Sequence, residues 1–561
     1  MVSRRHVLAS AVAVGGAAAL PSSVDKVRAS SVQAYADVDL SAVHGDPPPY
    51  PEGTHHLFMH GVASGDPLPT SVILWTRVSP SPDAVPGSGR GEDVSVTWQI
   101  ALDESFSRMV REGSVLATAT RDHTVHVDPF GLEPETTYFY RFLAGTAVSP
   151  TGRTRTTPAD DSTPGALRMA VASCANLESG YFGAYSDIAR RALAGEIDVV
   201  VHLGDYLYEY ASGVNPGKSG VTRPFEPPWE IVSAQDYRVR HGLYHRDTEL
   251  QAAHAAAPWV VTWDDHEIAN DASVSGAQGH DLFEGDWGDR RAAAMGAYLD
   301  WMPVRATNPA QGGRLYRSLR FGTLAELHML DLRSYRSGPG LIRSSDPERT
   351  IMGQEQFTWL SQKLSTSDAT WSLIGTSVMI SPLELLDLDP AVRAPLAAIT
   401  GADSGVELAT GLNADQWDGY PADRDRLLTQ IAETRPDAST VFLTGDIHSE
   451  WAGKVSHRGR VIGAELVCSS VTAPNLDDAL HLPSGNAVSR AAESHVLANN
   501  RHFEHVNLDA HGYLIARLNA DDVEGTWLRV EDIERAGSPV RVGKSWAFGG
   551  SEAGGAEPPA L

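Results

Sequence analysis

The chain has 561 residues, 42% of them apolar, which is enough to bury a large core and to form about two domains. Its formal net charge of -26 disfavours binding to nucleic acid or to anionic membranes, because an acidic surface repels polyanions. An anionic substrate would therefore need positive charge that is supplied locally at its binding site.

The amino terminus has the features of an export signal. Residues 3–8 (SRRHVL) match a twin-arginine motif, a run rich in Gly and Ala continues to residue 20, and residues 27–29 resemble a small-residue cleavage site. This run is too short to cross a bilayer, and no later segment is long and apolar enough. Residues 1–29 are therefore predicted to be a signal peptide for the twin-arginine translocase. The mature protein is expected outside the cytoplasm (extracellular, periplasmic or on the cell wall), without a transmembrane anchor.

A polar, proline-rich linker is predicted over residues 30–54, and a segment of short strands follows it. Between residues 55 and 158, β-forming runs recur at regular spacing with turn residues such as 65–67 (GDP) between them. The run at 131–142 (GLEPETTYFYRF) resembles the tyrosine corner of immunoglobulin-like domains. We therefore predict a fibronectin III-like β-sandwich over 55–158.

Strand and helix patterns alternate from residue 159 to residue 542, which is typical of an α/β domain with parallel strands. The Gly- and Ala-rich residues 543–561 that follow are predicted to be disordered. Four strand runs, at 166–173, 197–203, 258–263 and 439–444, end at turns with polar side chains. Those side chains are Cys174 and Asn176 after the first run, Asp205 and Tyr208 after the second, Asp264, Asp265, His266, Glu267 and Asn270 after the third, and Asp446 and His448 after the fourth. Ligands of open α/β sheets bind in the crevice beyond the strand ends, so these groups are expected to converge there.

Each group also has a structural alternative. Asp205 and Asp446 could cap the elements that follow them, and His266 could be a solvated residue of an acidic loop. Cys174 could be an inert buried thiol, or it could form a disulfide with Cys468, the only other cysteine. Four separate coincidences at four strand ends are harder to accept than one shared site, and the sequence therefore predicts a metal centre.

Three of these motifs carry a family resemblance. GDYLY at 204–208, DDHE at 264–267 and GDIH at 445–448 resemble the metallophosphoesterase signatures GDxxD, GNHE and GHxH, with Tyr208, Asp265 and Asp446 at substituted positions. SCAN at 173–176 stands where DxH is usual. With these departures the chain resembles the PhoD-type alkaline phosphatases over most of its mature length. The resemblance implies a metallophosphoesterase-like α/β catalytic domain over 159–542, with two packed mixed sheets flanked by helices.

The ligand types and the resemblance together indicate two kinds of metal site. One set combines a thiol, a carboxylate, a phenol and an imidazole and consists of Cys174, Asp205, Tyr208 and His448. Its two strongly basic anions suit a trivalent transition metal, and the resemblance implies ferric iron. The other set offers oxygen alone and consists of Asp265, Asn270 and Asp446. A hard cation prefers such ligands, and the resemblance implies calcium, as one or two ions, with a zinc pair as the alternative.

The predicted reaction is hydrolysis of phosphate esters by a metal-activated hydroxide that attacks phosphorus in line. His266 would protonate the leaving group or polarise the phosphoryl oxygen. Arg333 would contact the phosphate, with an ion pair to Asp331 as its alternative. Further candidates for phosphate contacts, with surface ion pairing as their alternative, are Arg238, Arg240 and His245.

Three functions remain open on the sequence alone. The first is an iron- and calcium-dependent alkaline phosphatase and phosphodiesterase that acts on small phosphate esters. The second uses the same site as a phospholipase D-type phosphodiesterase on phospholipid headgroups, since some secreted actinobacterial phospholipases D resemble this family. The third is a non-catalytic exported binding protein that uses the β-sandwich.

Overall fold

The computed structural model describes residues 47–309, 312–338, 346–383, 415–437 and 439–549. The predicted signal peptide, most of the predicted linker and residues 550–561 of the predicted disordered tail lie outside these ranges. Within them, no helix is long and apolar enough to cross a membrane.

Strands in three sheets and a set of helices make up the described part of the chain. The strands before residue 159 are β1 (Val62–Gly65), β2 (Ile73–Arg77), β3 (Val94–Ala101), β4 (Met109–Ala117), β5 (Thr124–Val127), β6 (Thr137–Ala144), β7 (Ala147–Val148) and β8 (Gly152–Arg155). The later strands are β9 (Leu167–Ala172), β10 (Val199–His202), β11 (Trp259–Val261), β12 (Arg317–Phe321), β13 (Ala325–Met329), β14 (Trp371–Thr376), β15 (Thr440–Thr444), β16 (Glu450–His457), β17 (Arg460–Val467), β18 (Phe503–Asn507), β19 (Gly512–Leu518), β20 (Asp522–Val530) and β21 (Val540–Gly549). The α-helices are α1 (Gly183–Leu193), α2 (Ala234–His245), α3 (Thr248–Ala256), α4 (Trp287–Trp301), α5 (Gln354–Thr366), α6 (Pro421–Thr434), α7 (Leu476–Ala479) and α8 (Ala487–Asn499).

Two of the sheets pack face to face. The nine-stranded sheet has the order β21-β20-β19-β9-β10-β11-β1-β2-β5, and the seven-stranded sheet has the order β12-β13-β14-β15-β17-β16-β18. Val171, Val201 and Leu443 contribute to the apolar layer between them. Helices α1 to α4 cover the outer face of the first sheet, and α5 and α6 cover that of the second. Because both faces are covered, central strands such as β10 and β15 are buried along their whole length and largely apolar, and the architecture agrees with the two mixed sheets predicted for 159–542.

The amino-terminal strands share a sheet with the larger domain. β3, β4, β6, β7 and β8 form the five-stranded sheet, whereas β1, β2 and β5 form one edge of the nine-stranded sheet, where β1 pairs in parallel with β11. Side chains such as Leu74 and Tyr140 fill the layer between the two sheets. The N–H of Glu133 donates to the Tyr138 hydroxyl over 2.8 Å, as in a tyrosine corner. The strands predicted as a sandwich over 55–158 therefore divide between the five-stranded sheet and a sheet that continues into the larger domain, and their fibronectin III-like character stays a prediction.

The prediction of disorder is wrong for residues 543–549. These residues belong to β21, which pairs antiparallel with β20 from Val530 to Asp522. Trp546 and Phe548 are buried in the layer between the two large sheets. Alternating apolar side chains thus hold a segment whose composition alone indicated a disordered tail.

A cluster of buried histidine and aromatic rings joins α2 and α3 to the end of β10. The rings of His245 and His254 stack with centroids 5.3 Å apart, and their Nε2 atoms lie 3.1 and 2.9 Å from the Tyr206 hydroxyl. Burial lowers the pKa of His202 and of His245 to about 3, so both rings are neutral in the folded protein. The phosphate contact considered for His245 is therefore wrong, because this ring lies in the core.

These neutral buried rings predict a loss of stability in mild acid. Below about pH 6.5 the unfolded chain takes up protons on its histidines, whereas His202 and His245 stay neutral in the folded protein until about pH 3. The free energy of unfolding should therefore be highest above about pH 6.5 and should fall as the pH decreases, which Tm measured against pH will show. His245→Gln should flatten this fall, whereas His495→Gln, at an exposed position, should not. Equal pH dependence in both variants and the wild type would contradict the prediction.

Candidate metal centre

The four predicted strand ends meet at one place. β9, β10 and β11 are adjacent parallel strands, and Gly445, at the end of β15, lies against Ser173 at the end of β9. Asp205, Asp265 and His266 have ligand atoms within 4.8 Å of one another there. Two further groups with the same spacing are Cys174, Asp205 and His448, and Asp205, Asp264, Asp265 and Asp446. Asp205 belongs to all three groups and connects them.

Tight turns aim these side chains into the crevice. Left-handed φ angles between 54° and 66° occur at four of the positions, Cys174, Asp205, Asp446 and His448. Such angles are uncommon for residues other than glycine and occur both at active sites and at ordinary turns. Gly204, with φ of 103°, leaves no room for a side chain, because a Cβ there would lie 2.4 Å from the Asp264 nitrogen. The turn after β10 therefore depends on a glycine directly before Asp205.

The thiol, phenol and imidazole lie on one side of Asp205. The Tyr208 hydroxyl donates to Asp205 Oδ2 over 3.1 Å and lies 3.2 Å from His448 Nε2. His448 Nδ1 donates to the Pro474 carbonyl over 2.9 Å, which turns Nε2 toward Tyr208. The other oxygen of Asp205, Oδ1, is buried and has no hydrogen-bond partner among the described residues. An orphaned carboxylate oxygen is costly, and a cation at this point would satisfy it.

The ionisation of these groups also fits a cation. Burial, together with the charges of Asp205 and Asp446, raises the pKa of the Cys174 thiol well above its usual value. Burial and the charge of Asp205 do the same for the pKa of the Tyr208 phenol, and burial raises the pKa of Asp205 itself. The protein alone therefore favours the neutral forms, and a polyvalent cation would convert them into anionic ligands.

Two carboxylates that the sequence analysis did not single out extend the oxygen-rich side. Asp265, Asp271 and Asp415 form a further group of ligand atoms within 4.8 Å of one another. Asp271 directly follows the DDHEIAN run, so a local signal existed, whereas Asp415 comes from a distant segment. The Asn270 side-chain amide donates to Gln278 Oε1 over 2.6 Å, and the ligand role of Asn270 stays a prediction.

Arg333 lies in the site, where carboxylates bind its guanidinium group. Nη2 donates to Asp264 Oδ2 over 3.0 Å, and Nη1 and Nη2 donate to the two oxygens of Asp415 over 3.0 and 3.1 Å. Asp331 instead accepts from the backbone N–H of Arg333 over 3.2 Å, so the alternative of a side-chain ion pair is wrong. Because these donors point at carboxylates, Arg333 positions those groups, and its predicted contact with phosphate stays a prediction.

His266 is held over the Tyr208 ring by a carboxylate. Its Nδ1 lies 2.7 Å from Glu209 Oε2, and its ring centroid lies 4.3 Å from that of Tyr208. Burial opposes a charge on His266, but the carboxylates of Glu209, Asp205 and Asp265 outweigh it and raise the pKa of the imidazole well above its usual value. A protonated ring bound to Glu209 through Nδ1 presents its Nε2–H as a proton donor. The alternative of a solvated loop residue is wrong, since His266 is buried.

Glu267 sets the turns after β10 and β11. Its Oε2 accepts the N–H groups of Asp205 and Asp264 over 3.0 and 2.8 Å, and its Oε1 accepts that of Tyr206 over 2.5 Å. Burial raises the pKa of Glu267 to about 7. The sequence placed this residue at a strand end without a role, and the structure shows that it joins two of the turns that carry ligand candidates.

The other two phosphate-contact candidates have structural partners. Arg240 is buried and donates to backbone carbonyls, among them that of Pro227 over 3.0 Å. Arg238 pairs with Asp300 over 2.8 Å. Both arginines therefore support the α2 region, and Arg240 is not the surface ion pair that was its alternative.

The two cysteines are free thiols. Cys174 and Cys468 are both buried, and their sulfur atoms lie 3.2 and 3.4 Å from the Ser173 hydroxyl. The disulfide considered from the sequence is therefore absent. This leaves the Cys174 sulfur beside Asp205 and His448 as a ligand atom.

Comparison with known proteins identifies the family. The family model of the PhoD-like phosphatase matches residues 169–527, and that of the PhoD-like phosphatase N-terminal domain matches residues 46–158. Alkaline phosphatase D of Bacillus subtilis (strain 168) is 34% identical over 515 residues, which cover 89% of this chain and 82% of that protein. These matches contradict the hypothesis that the chain is a non-catalytic binding protein.

Solved structures agree with this assignment. A structure of PhoD is 33% identical with a TM-score of 0.76, over 89% of this chain and 91% of that chain. Purple acid phosphatase PPD1 from yellow lupin (Lupinus luteus) seeds, at 10% identity and a TM-score of 0.52 over 88% of this chain and 74% of that one, shares the fold. The chain therefore belongs to the PhoD-like phosphatase family and is a metal-dependent phosphoester hydrolase.

Proposed function

We propose that the chain is an exported alkaline phosphatase that hydrolyses phosphate monoesters and diesters with ferric iron and calcium. The observation that carries the proposal is the division of donors around Asp205, with sulfur, nitrogen and phenol oxygen on one side and carboxylates on the other. Iron would be held by Cys174, Asp205, Tyr208 and His448. Calcium, as one or two ions, would be held by Asp205, Asp265, Asn270 and Asp446. A zinc pair suits this set less well, because a phenol and an oxygen-only side favour harder cations.

The chain's own residues would orient these ions and move protons. When bound, the ions supply positive charge to the phosphoryl oxygens and lower the pKa of water for attack on phosphorus. His266 donates a proton from Nε2 to the leaving group, while Glu209 holds the ring through Nδ1. Arg333 and Glu267 keep the carboxylates and the strand-end turns in place from behind the site.

The twin-arginine motif at residues 3–8 supports export of the folded enzyme. Twin-arginine translocation carries folded proteins, so the metal centre would form in the cytoplasm before export. The mature enzyme would then act on small-molecule or lipid phosphate esters outside the cytoplasm.

Elemental analysis of protein folded in its native host should find iron and calcium, and visible absorption should show the purple to red band of a phenolate bound to ferric iron. Tyr208→Phe should abolish the band because it removes the phenolate oxygen. Asp205→Asn should lose both metals, because Asp205 belongs to both proposed sets of ligands. In each variant kcat/KM should fall by about a hundredfold or more, since metal ligation contributes several kcal/mol to catalysis.

Asp187→Asn is the matched control for Asp205→Asn. Asp187 is also a buried carboxylate, but it lies on α1 and pairs with Arg191 over 2.8 Å. This variant should keep both metals and the colour. A colourless wild-type enzyme that is active with zinc would overturn the proposed cofactors.

His266→Asn tests the proton donor. A general acid matters most when the leaving group is poor, so kcat for an alkyl phosphate should fall by about 10²- to 10⁴-fold. The loss with p-nitrophenyl phosphate should be much smaller, because nitrophenolate leaves without protonation. Glu209→Gln should also lower kcat for both substrates, by a smaller factor than His266→Asn. Equal losses on the two substrates would contradict this role of His266.

A phospholipid headgroup is the second candidate substrate, and one exposed turn favours it. Leu282 and Phe283 are 97% and 93% exposed at the tip of a loop. Nearby, the Gly279 N–H donates to the Asn270 carbonyl over 3.1 Å, so the loop is anchored at the site. Adjacent apolar side chains exposed beside an active site are suited to entering a lipid surface.

The double variant Leu282→Ser with Phe283→Ser separates the two candidates. If the second candidate is correct, headgroup release from phosphatidylcholine vesicles should fall by about tenfold or more. The reason is that the variant lacks the two apolar side chains that would enter the lipid surface. Turnover of p-nitrophenyl phosphate should not change. Phe130→Ser, at a 79% exposed position in the amino-terminal region, is the control. A wild-type enzyme without activity on these vesicles would exclude the phospholipid candidate.

A further inference from the structure

Residues 470–475, between β17 and α7, support two of the proposed iron ligands from outside the metal centre. The Ala473 N–H donates to the Cys174 carbonyl over 3.0 Å. The Pro474 carbonyl accepts from His448 Nδ1 over 2.9 Å. This loop therefore holds the backbone beside one ligand and sets the ring orientation of the other.

His511, directly before β19, fastens this loop at two points. Its Nδ1 lies 3.0 Å from Ser470 Oγ, and its Nε2 lies 2.8 Å from Asp478 Oδ2 and 3.2 Å from Asn475 Nδ2. The Ser470 hydroxyl donates to the Ala473 carbonyl over 2.6 Å, so it accepts from Nδ1 of His511. All of these side chains are buried, where an unsatisfied polar group is costly.

Serine, histidine and aspartate lie in line here, as in a serine hydrolase triad, but the arrangement does not suit that chemistry. Ser470 is fully buried, so a substrate has no access to its hydroxyl. The same hydroxyl is already bound to the Ala473 carbonyl. A nucleophilic serine must instead reach the substrate and give its proton to the histidine. The arrangement therefore serves the loop.

We propose that His511 is a positioning residue for the metal centre, which acts by clamping residues 470–475 so that Pro474 holds His448 with Nε2 toward Tyr208. The proposal rests on the proposed metal ligands. A histidine ligand is oriented by the acceptor at its other ring nitrogen, and loss of that support typically weakens metal binding by about tenfold to a hundredfold. His511 contacts neither His448 nor Cys174 in a hydrogen bond of its own, and it acts through the loop.

His511→Ala and His505→Ala are a matched pair for testing this role. His505 lies on β18, and its Nε2 is 3.0 Å from the Glu450 carboxylate, so it too is an imidazole paired with a buried acid. In the holoenzyme both variants should lower Tm. Iron affinity, measured by chelator competition, should fall by about tenfold to a hundredfold in His511→Ala and stay near the wild-type value in His505→Ala. Equal affinities in the two variants would overturn the proposal.

A second measurement does not depend on the metal. In the wild-type fold Cys174 is 1% exposed beneath the loop. In metal-free protein that also carries Cys468→Ser, a thiol reagent should modify Cys174 about tenfold faster when His511 is replaced by Ala, because the loop opens more often. His505→Ala should not change the rate, and equal rates in the two variants would overturn the proposal. Wild-type protein that binds no metal would instead contradict the proposed function, and the labelling rates would still decide the role of His511.

Discussion

Repulsion among buried carboxylates is the constraint on which the rest of the structure depends. Asp205, Asp264, Asp265 and Asp446 are buried with ligand atoms within 4.8 Å of one another. Like charges this close in a medium of low polarity oppose one another's ionisation, so the cluster needs positive charge. Arg333 supplies one charge from behind the cluster, and a protonated His266, whose pKa these carboxylates raise, supplies another; two charges do not balance four carboxylates. The remaining charge is the one that the proposed cations would supply from the side of the pocket.

A rigid frame holds these groups in place despite their repulsion. Left-handed turns at the strand ends fix the directions in which the side chains point. Glu267 joins two of those turns because it accepts hydrogen bonds from their backbone N–H groups. His266 is fixed in the same way by Glu209, and His448 by Pro474. The residues that would bind metal are therefore oriented by neighbours that would not bind it. Such support determines metal affinity and catalysis almost as strongly as the ligands do.

The amino-terminal region belongs to this frame. β1 pairs with β11, the strand that leads to Asp264 and Asp265, and Trp75 of β2 packs against Trp301 of α4 with ring centroids 5.8 Å apart. The Trp75 indole also donates to the Asp300 carbonyl over 2.9 Å. These contacts extend the buried layer of the nine-stranded sheet to the strand that carries the acidic side of the site. The region is therefore a structural part of the catalytic fold.

The sequence alone determined the features that depend on short stretches of chain. Apolar runs that end in turns predicted the strand ends, and the residue types at those ends predicted that Cys174, Asp205, His448 and Asp446 lie together, because strand direction and turn position are locally encoded. Only the tertiary structure decided that Asp415 joins the cluster, that Arg333 binds Asp264, that β21 extends through residues 543–549 and that three amino-terminal strands enter the larger sheet. These features join residues far apart in the chain, and a local pattern, such as the alternation in β21, does not identify the distant segment that a residue will contact.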